Sequence, residues 1–230
     1  MNFVAVHGAF RGGWSFARLR REMSARGHDL RAPSLAGMGE HAAPPQHRQP
    51  VSLGQWRDQL VSQIELEDLR EVVLLGHSQG GLVVRSVAPH ISDRLCCVGY
   101  LDAPVPAPGQ RGVDLMGAPP DQLPPADTWL EPTPLDADEH HSRALVEWIN
   151  PRLCATPLRP SLDPLGEDPV TVPEHVAFCA HTPAHYPSSL YRGELDRSGA
   201  TYEVIDAPHD SPLTHPGEVA DWLESIGTAT

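Results

Sequence analysis

Short apolar runs alternate along the chain with longer segments whose apolar residues recur every three or four positions. That alternation predicts strands threaded between amphipathic helices. Residues 2–7 (Asn-Phe-Val-Ala-Val-His) form a short buried strand ended by Gly8. Over 14–26, Phe16, Leu19 and Met23 share one helical face, and Gly27 is a natural stop. Residues 28–32 form a second strand, and the Pro-, Gly- and His-rich stretch 33–50 is loop. Ser52 and Gln55 suit a capping box, after which Leu53, Trp56, Leu60 and Ile64 make one apolar stripe. Residues 72–75 (Val-Val-Leu-Leu) are a buried strand, 80–90 a helix carrying Leu82, Val83 and Val87, and 97–101 a further buried strand.

The pattern then breaks. Residues 103–173 hold many prolines and few strand-like runs, with one helix expected over 137–149. Strands return near 175–180 and 201–206, and a closing helix over 217–226 aligns Val219, Leu223 and Ile226. Strands alternating with helices predict an α/β fold, a mostly parallel central sheet of about six strands covered on both faces. The expected organisation is one domain, with a core of 1–102 and 174–230 and a lid inserted at 103–173. A disordered linker would share the composition of that insert.

Composition narrows the function. The net charge of −13 offers nothing to a phosphate backbone, so nucleic acid is excluded as a partner. The chain has no lysine, its 17 basic residues all being arginine, which excludes Schiff-base and P-loop chemistry. No apolar run is long enough to cross a bilayer, and a membrane partner is not expected. The N-terminus lacks the basic and long apolar stretches of a signal peptide, and the four cysteines show no CxxC pair. Together these predict a cytoplasmic protein with reduced thiols.

Gly76-His77-Ser78-Gln79-Gly80 matches G-x-S-x-G between a buried strand and a helix, the context in which such a turn raises a serine hydroxyl above the sheet. Side chains at the glycines would clash with the sharp turn. Ser78 is the expected nucleophile. A serine hydroxyl needs a base, and His209 lies between the final strand and the final helix, on the same sheet edge. His7-Gly8-Ala9-Phe10 follows the first strand, where Gly8 lets the backbone approach a reacting carbonyl. The N–H groups of Ala9 and Gln79 are the expected oxyanion donors. His7 itself is read as a hydrogen-bonded structural residue.

The run His7-Gly8-Ala9-Phe10-Arg11-Gly12-Gly13-Trp14, with Gly27-His28 and Leu35-Ala36-Gly37-Met38-Gly39, resembles the plant methylesterase, pheophorbidase and hydroxynitrile lyase family of α/β-hydrolases. Gly76-His77-Ser78, Tyr100-Leu101-Asp102-Ala103, His209 and Pro216 also fall at that family's places. The resemblance covers the core at both ends and not the insert. It implies the α/β-hydrolase fold and cleavage of small esters without a cofactor. Lyase members carry an active-site lysine and an oxyanion-loop threonine. This chain has no lysine and has Ala9 at the threonine place, so cyanohydrin cleavage of that kind is not expected.

The acid that orients the base is harder to place. In many α/β-hydrolases it follows the strand near 175–180, but here the loop is Cys179-Ala180-His181-Thr182-Pro183-Ala184-His185, without a carboxylate. Asp102, at the end of the preceding core strand, is the preferred acid. Glu194 and Asp196 are alternatives, as is a Ser–His dyad, while Asp210 adjoins His209 and cannot easily face its ring. His181 and His185 are spaced like metal ligands, but Pro183 breaks the helix that would align them, and no metal is expected. Phe10, Met116 and Trp129 are candidate substrate contacts, whereas Trp14 and Trp148 suit core packing. The expected activity is hydrolysis of a small carboxylic ester or thioester through an acyl-enzyme. Acyl transfer, with a donor thioester carried on a protein, is the alternative, and a binding protein that kept the fold is the third reading.

Overall fold

The computed structural model describes residues 1–116 and 122–228. Its centre is a six-stranded sheet built from β1 (Asn2–Val6), β2 (Asp29–Arg31), β3 (Val72–His77), β4 (Leu95–Leu101), β7 (Glu174–Cys179) and β8 (Glu203–Ile205). The order is β2-β1-β3-β4-β7-β8 and every pairing is parallel. The chain leaves β1 toward β2 on one side and returns to β3 on the other. A crevice therefore opens above the carboxyl ends of β1 and β3, where open α/β sheets bind ligands.

Alternation along each strand divides the core. Val4, Val6, Leu74 and Val98 pack with Trp56, Leu60 and Ile64 of α2 (Leu53–Leu66) and with Val83 and Val84 of α3 (Gly80–Val87). Phe3, Ala5, Val73 and Leu75 face the other way, onto Leu19 and Met23 of α1 (Ala17–Ala25) and Val219, Trp222 and Leu223 of α8 (Pro216–Thr228). Each of the fully buried Val, Leu, Ile, Phe and Met side chains among these contributes roughly 1.5–3 kcal/mol. The capping box at Ser52 forms as expected: Gln55 N–H donates to Ser52 Oγ at 3.2 Å, and Ser52 N–H to Gln55 Oε1 at 2.8 Å.

Residues 103–173 carry their own elements: a two-stranded antiparallel ribbon of β5 (Trp129–Leu130) and β6 (Thr156–Pro157), α4 (Arg143–Ile149) and the short α5 (Arg159–Leu162). The helix expected over 137–149 begins only at Arg143. Ser142 caps it, its Oγ accepting from Leu145 N–H, and Asp138 instead accepts from the N–H groups of His140 and His141. Between β7 and β8 runs α6 (Pro187–Ser198), and a single turn, α7 (Ser211–Thr214), precedes α8. Trp14 and Trp148 meet edge to face at 5.5 Å beside Leu145, Ile149 and Leu213, the packing role expected of them. No disulfide forms among the described residues, and no described helix is long and apolar enough to cross a membrane.

Two contacts weld β1 to the site. A Cβ on Gly80 would sit 2.2 Å from the carbonyl oxygen of Val6, so α3 lies against β1 only because that position is glycine. His7, 1% exposed, donates from Nδ1 to Gly8 O at 2.9 Å and accepts Leu35 N–H on Nε2 at 3.0 Å. Burial pushes its imidazole down to about 4, so it stays neutral and keeps one proton for the first bond and one lone pair for the second.

Gly80→Ala is therefore expected to destabilise the protein by roughly 3 kcal/mol. Gly217→Ala, where nothing lies within 4 Å of the added carbon, should stay within about 0.5 kcal/mol of wild type; urea unfolding measures both. Because the folded pKa of His7 lies below its unfolded value, the unfolded chain takes up the proton first and stability falls with pH. Between pH 7 and pH 5 this residue should account for about 2 kcal/mol of lost stability. The pH slope of His7→Asn should be shallower by that amount, and an unchanged slope would contradict the neutral, buried assignment.

Candidate active site

Four chain segments meet at the carboxyl edge of the sheet. The turn after β3 holds Ser78 at φ +54°, a left-handed conformation that costs of order 1–3 kcal/mol in a non-glycine residue. Tight glycine contacts hold that turn: a Cβ on Gly76 would reach 2.6 Å from Gly80 O, and one on Gly8 would reach 2.7 Å from Ser78 Cβ. The loop after β1 thus lies directly against the serine, the approach expected of Gly8.

Asp102 directly follows β4, itself at φ +46°, and is 1% exposed. Its Oδ2 accepts from His209 Nδ1 at 2.5 Å and from Thr182 Oγ1 at 2.5 Å, while Oδ1 accepts Cys179 N–H at 3.3 Å. Burial alone would push this carboxyl up. The hydrogen bonds from His209 and Thr182 outweigh it and hold the carboxyl below the usual range, so Asp102 is an anion. With Nδ1 committed to the carboxylate, the other ring nitrogen of His209 is the one left for chemistry. Ser78 and His209 line one cavity of about 510 Å³.

The N–H groups of Ala9 and Gln79 have no hydrogen-bond partner among the described residues, whereas their neighbours are engaged: Phe10 N–H donates to Thr156 Oγ1 at 2.6 Å and Ser78 N–H to Leu101 O at 3.1 Å. Both free amides belong to residues that line the cavity. Phe10 and Met116 line it too. Trp129 does not: its ring tip lies over Gly37, with Val51 beside it, and Arg48 covers its face at 5.3 Å. Leu82, Leu130, Leu135 and Leu158 make the cavity wall largely apolar.

The alternative acids sit elsewhere. Glu194 and Asp196 ride on α6, where Asp196 bonds the Tyr202 hydroxyl. Asp210 turns from the His209 ring to Arg11, at 2.9 Å, with His141 Nε2 at 3.3 Å. Burial opposes its ionisation, but the Arg11 guanidinium and His141 hold its carboxyl far below the ordinary range. His181 pairs with Asp206 at 2.7 Å, and His185 stands in the cavity wall. No group of three potential metal ligands occurs among the described residues.

Several contacts had no local signal in the sequence. Thr182 occupies the loop where a carboxylate is usual and instead donates to one. Thr156 grips the loop after β1 from far along the chain. Tyr186 sets its ring edge-on to His209 at 4.8 Å. His77 donates from Nε2 to the carbonyl of His209 at 2.8 Å.

Comparison with known proteins agrees with this architecture. The family model described as the Alpha/beta hydrolase family matches residues 3–222. A carbendazim hydrolyzing esterase from Nocardioides sp. (strain SG-4G) is 29% identical over 98% of this chain and 99% of its own. Lipase LipV of Mycobacterium tuberculosis is 29% identical over 96% of this chain and 91% of its own. Among solved structures, a methylesterase from Arabidopsis, MES16, superposes with a TM-score of 0.79 at 22% identity, covering all of both chains. With the sheet order, the turn at Ser78 and a match that spans nearly the whole sequence, this chain belongs to the α/β-hydrolase family and is an enzyme of its esterase type.

Proposed function

We propose that the chain hydrolyses a small, uncharged carboxylic ester or thioester through an acyl-enzyme on Ser78. The observation that carries this reading is the 2.5 Å contact between His209 Nδ1 and the buried Asp102 carboxylate, at the wall of the cavity that also receives Ser78. Ser78 Oγ attacks the substrate carbonyl carbon while its proton passes to the free nitrogen of His209. Asp102 keeps the ring in the tautomer that can accept that proton and stabilises the imidazolium that results. The N–H groups of Ala9 and Gln79 receive the developing oxyanion, each contributing about 3 kcal/mol. The imidazolium then protonates the departing alcohol or thiol, and a water repeats the sequence to release the acid.

The cavity favours a neutral substrate. Its charged residues Arg11 and Asp210 neutralise each other at 2.9 Å, and Phe10 and Met116 add to an apolar wall. Residues 103–173 act in this reading as the lid that supplies much of that wall and keeps bulk water out.

A fluorophosphonate probe followed by mass spectrometry is expected to give one adduct, on Ser78, that is absent in Ser78→Ala. Against p-nitrophenyl esters, Ser78→Ala and His209→Ala should each lose about 10⁴-fold or more in kcat, and Asp102→Asn at least about 10²-fold while remaining folded. Near wild-type turnover in Asp102→Asn would remove Asp102 from the mechanism. Amine, alcohol or thiol acceptors added to the assay should not be acylated. An acylated acceptor would make the protein a transferase, and absence of any adduct would make it a binding protein.

A further inference from the structure

His77 takes no part in the steps above, yet it is built as carefully as the groups that do. Its side chain is nearly closed off from solvent, the residue being 3% exposed. Its Nε2–H donates to the backbone carbonyl of His209 at 2.8 Å. The two imidazoles lie 4.8 Å apart at 38°, and Phe16 meets His77 edge-on at 6.3 Å. The Nδ1 atom has no partner. A neutral imidazole has one proton to place, and here it sits on the nitrogen that reaches His209. Burial, and then the proximity of His209, push the imidazole down to about 4, so the donor stays neutral near pH 7.

The segment that carries His209 needs such a tie. It is an irregular connection between the short edge strand β8 and the single turn α7. Its other backbone anchors flank the histidine without touching it: Ala207 N–H donates to Ile205 O and His181 N–H to Ala207 O before it, and Asp210 O accepts the N–H groups of Leu213 and Thr214 after it. Asp102 holds the ring of His209 but not its backbone. His77 precedes Ser78 in the chain, so a bond from His77 to the carbonyl of His209 references the base directly to the turn that carries the nucleophile.

We infer that His77 is a positioning residue, whose single N–H fixes the backbone of His209 at the depth that lets one imidazole face both Asp102 and the Ser78 cavity. This rests on the reading of His209 as the base. A neutral donor suits the task, because a cation at 4.8 Å would oppose the imidazolium formed on His209 in each turnover.

The test uses the full chain and p-nitrophenyl acetate. His77→Leu removes the donor and should lower kcat about 10- to 100-fold with KM nearly unchanged, the size of effect expected of a misplaced catalytic group. His77→Gln places an amide N–H near the position of Nε2 and should recover activity to within about threefold of wild type. Proton NMR supplies a reading independent of turnover. The downfield N–H resonance of the His209–Asp102 hydrogen bond, assigned by its loss in His209→Ala, should shift or broaden in His77→Leu and persist in His77→Gln. If the leucine variant does not fold, His77→Asn, whose amide is too short to reach the carbonyl, takes its place and should show the same defect. Full turnover in the donor-free variant, or equal impairment of Leu and Gln variants with the resonance unmoved, overturns the inference. If His209→Ala is inactive while the donor-free variant is fully active, only the positioning role fails. If His209→Ala is itself active, the reading of the base fails with it.

Discussion

The hydrogen bond between a buried carboxylate at the end of β4 and an imidazole in the loop after β8 is the contact around which this molecule is arranged. Asp102 can remain an anion at 1% exposure only because three donors converge on it. Those donors come from β4's neighbour β7, the loop that follows it and the loop after β8. The parallel sheet brings all three carboxyl ends to one edge, and the pairing of β3 with β4 sets the turn that holds Ser78 beside Asp102. Remove the carboxylate and the surrounding polar groups lose their common acceptor; remove the donors and the carboxylate becomes a buried, unpaired charge.

The ion pair of Arg11 and Asp210 plays a second structural part. It joins the loop after β1 to the residue following His209, with side chains 12% and 8% exposed. Truncating either partner would leave the other charge stranded, a cost of roughly 3–5 kcal/mol. This pair also explains why a carboxylate adjacent to the imidazole is not its partner. Asp210 is committed to a cation on the opposite side, and His141 from the insert closes on it as well.

Much of the architecture is legible in the residues because it depends on local pattern. The run Val72–Leu75, the capping box at Ser52 and the stripe from Leu53 to Ile64 each settle a helix or strand without reference to the rest of the chain. The turn around Ser78 is legible for the same reason, since its glycines are demanded by contacts made within a few residues and against β1. The place of Asp102 directly after a core strand is legible from the strand pattern. What escapes is contact at long range. Nothing near Thr156 marks it as the partner of Phe10, nothing near Thr182 marks it as a donor to Asp102, and the roles of His77 depend on a carbonyl 132 residues away. Trp129 shows the converse: an aromatic residue in the insert suggests a substrate contact, but the fold spends it on Gly37 and Val51. The late start of α4 follows from a local competition in which the Asp138 carboxylate captures the N–H groups of His140 and His141 before a helix can use them.

The grip of residues 154–156 on the loop after β1 decides which parts of the chamber wall can change independently of that loop. Thr156 accepts the Phe10 amide, Cys154 N–H donates to the Phe10 carbonyl at 3.2 Å, and Phe10 itself is held at φ +64°. The stretch from 154 to 156 is thus part of the frame, and so is Leu130, which pairs with Thr156 in the ribbon, whereas Met116 lines the chamber from outside that frame. A change of side chain at Met116 therefore alters the chamber wall and leaves in place the bonds that fix the Phe10 loop. Replacing residues 154–156 along with the wall would remove those bonds and the contour together.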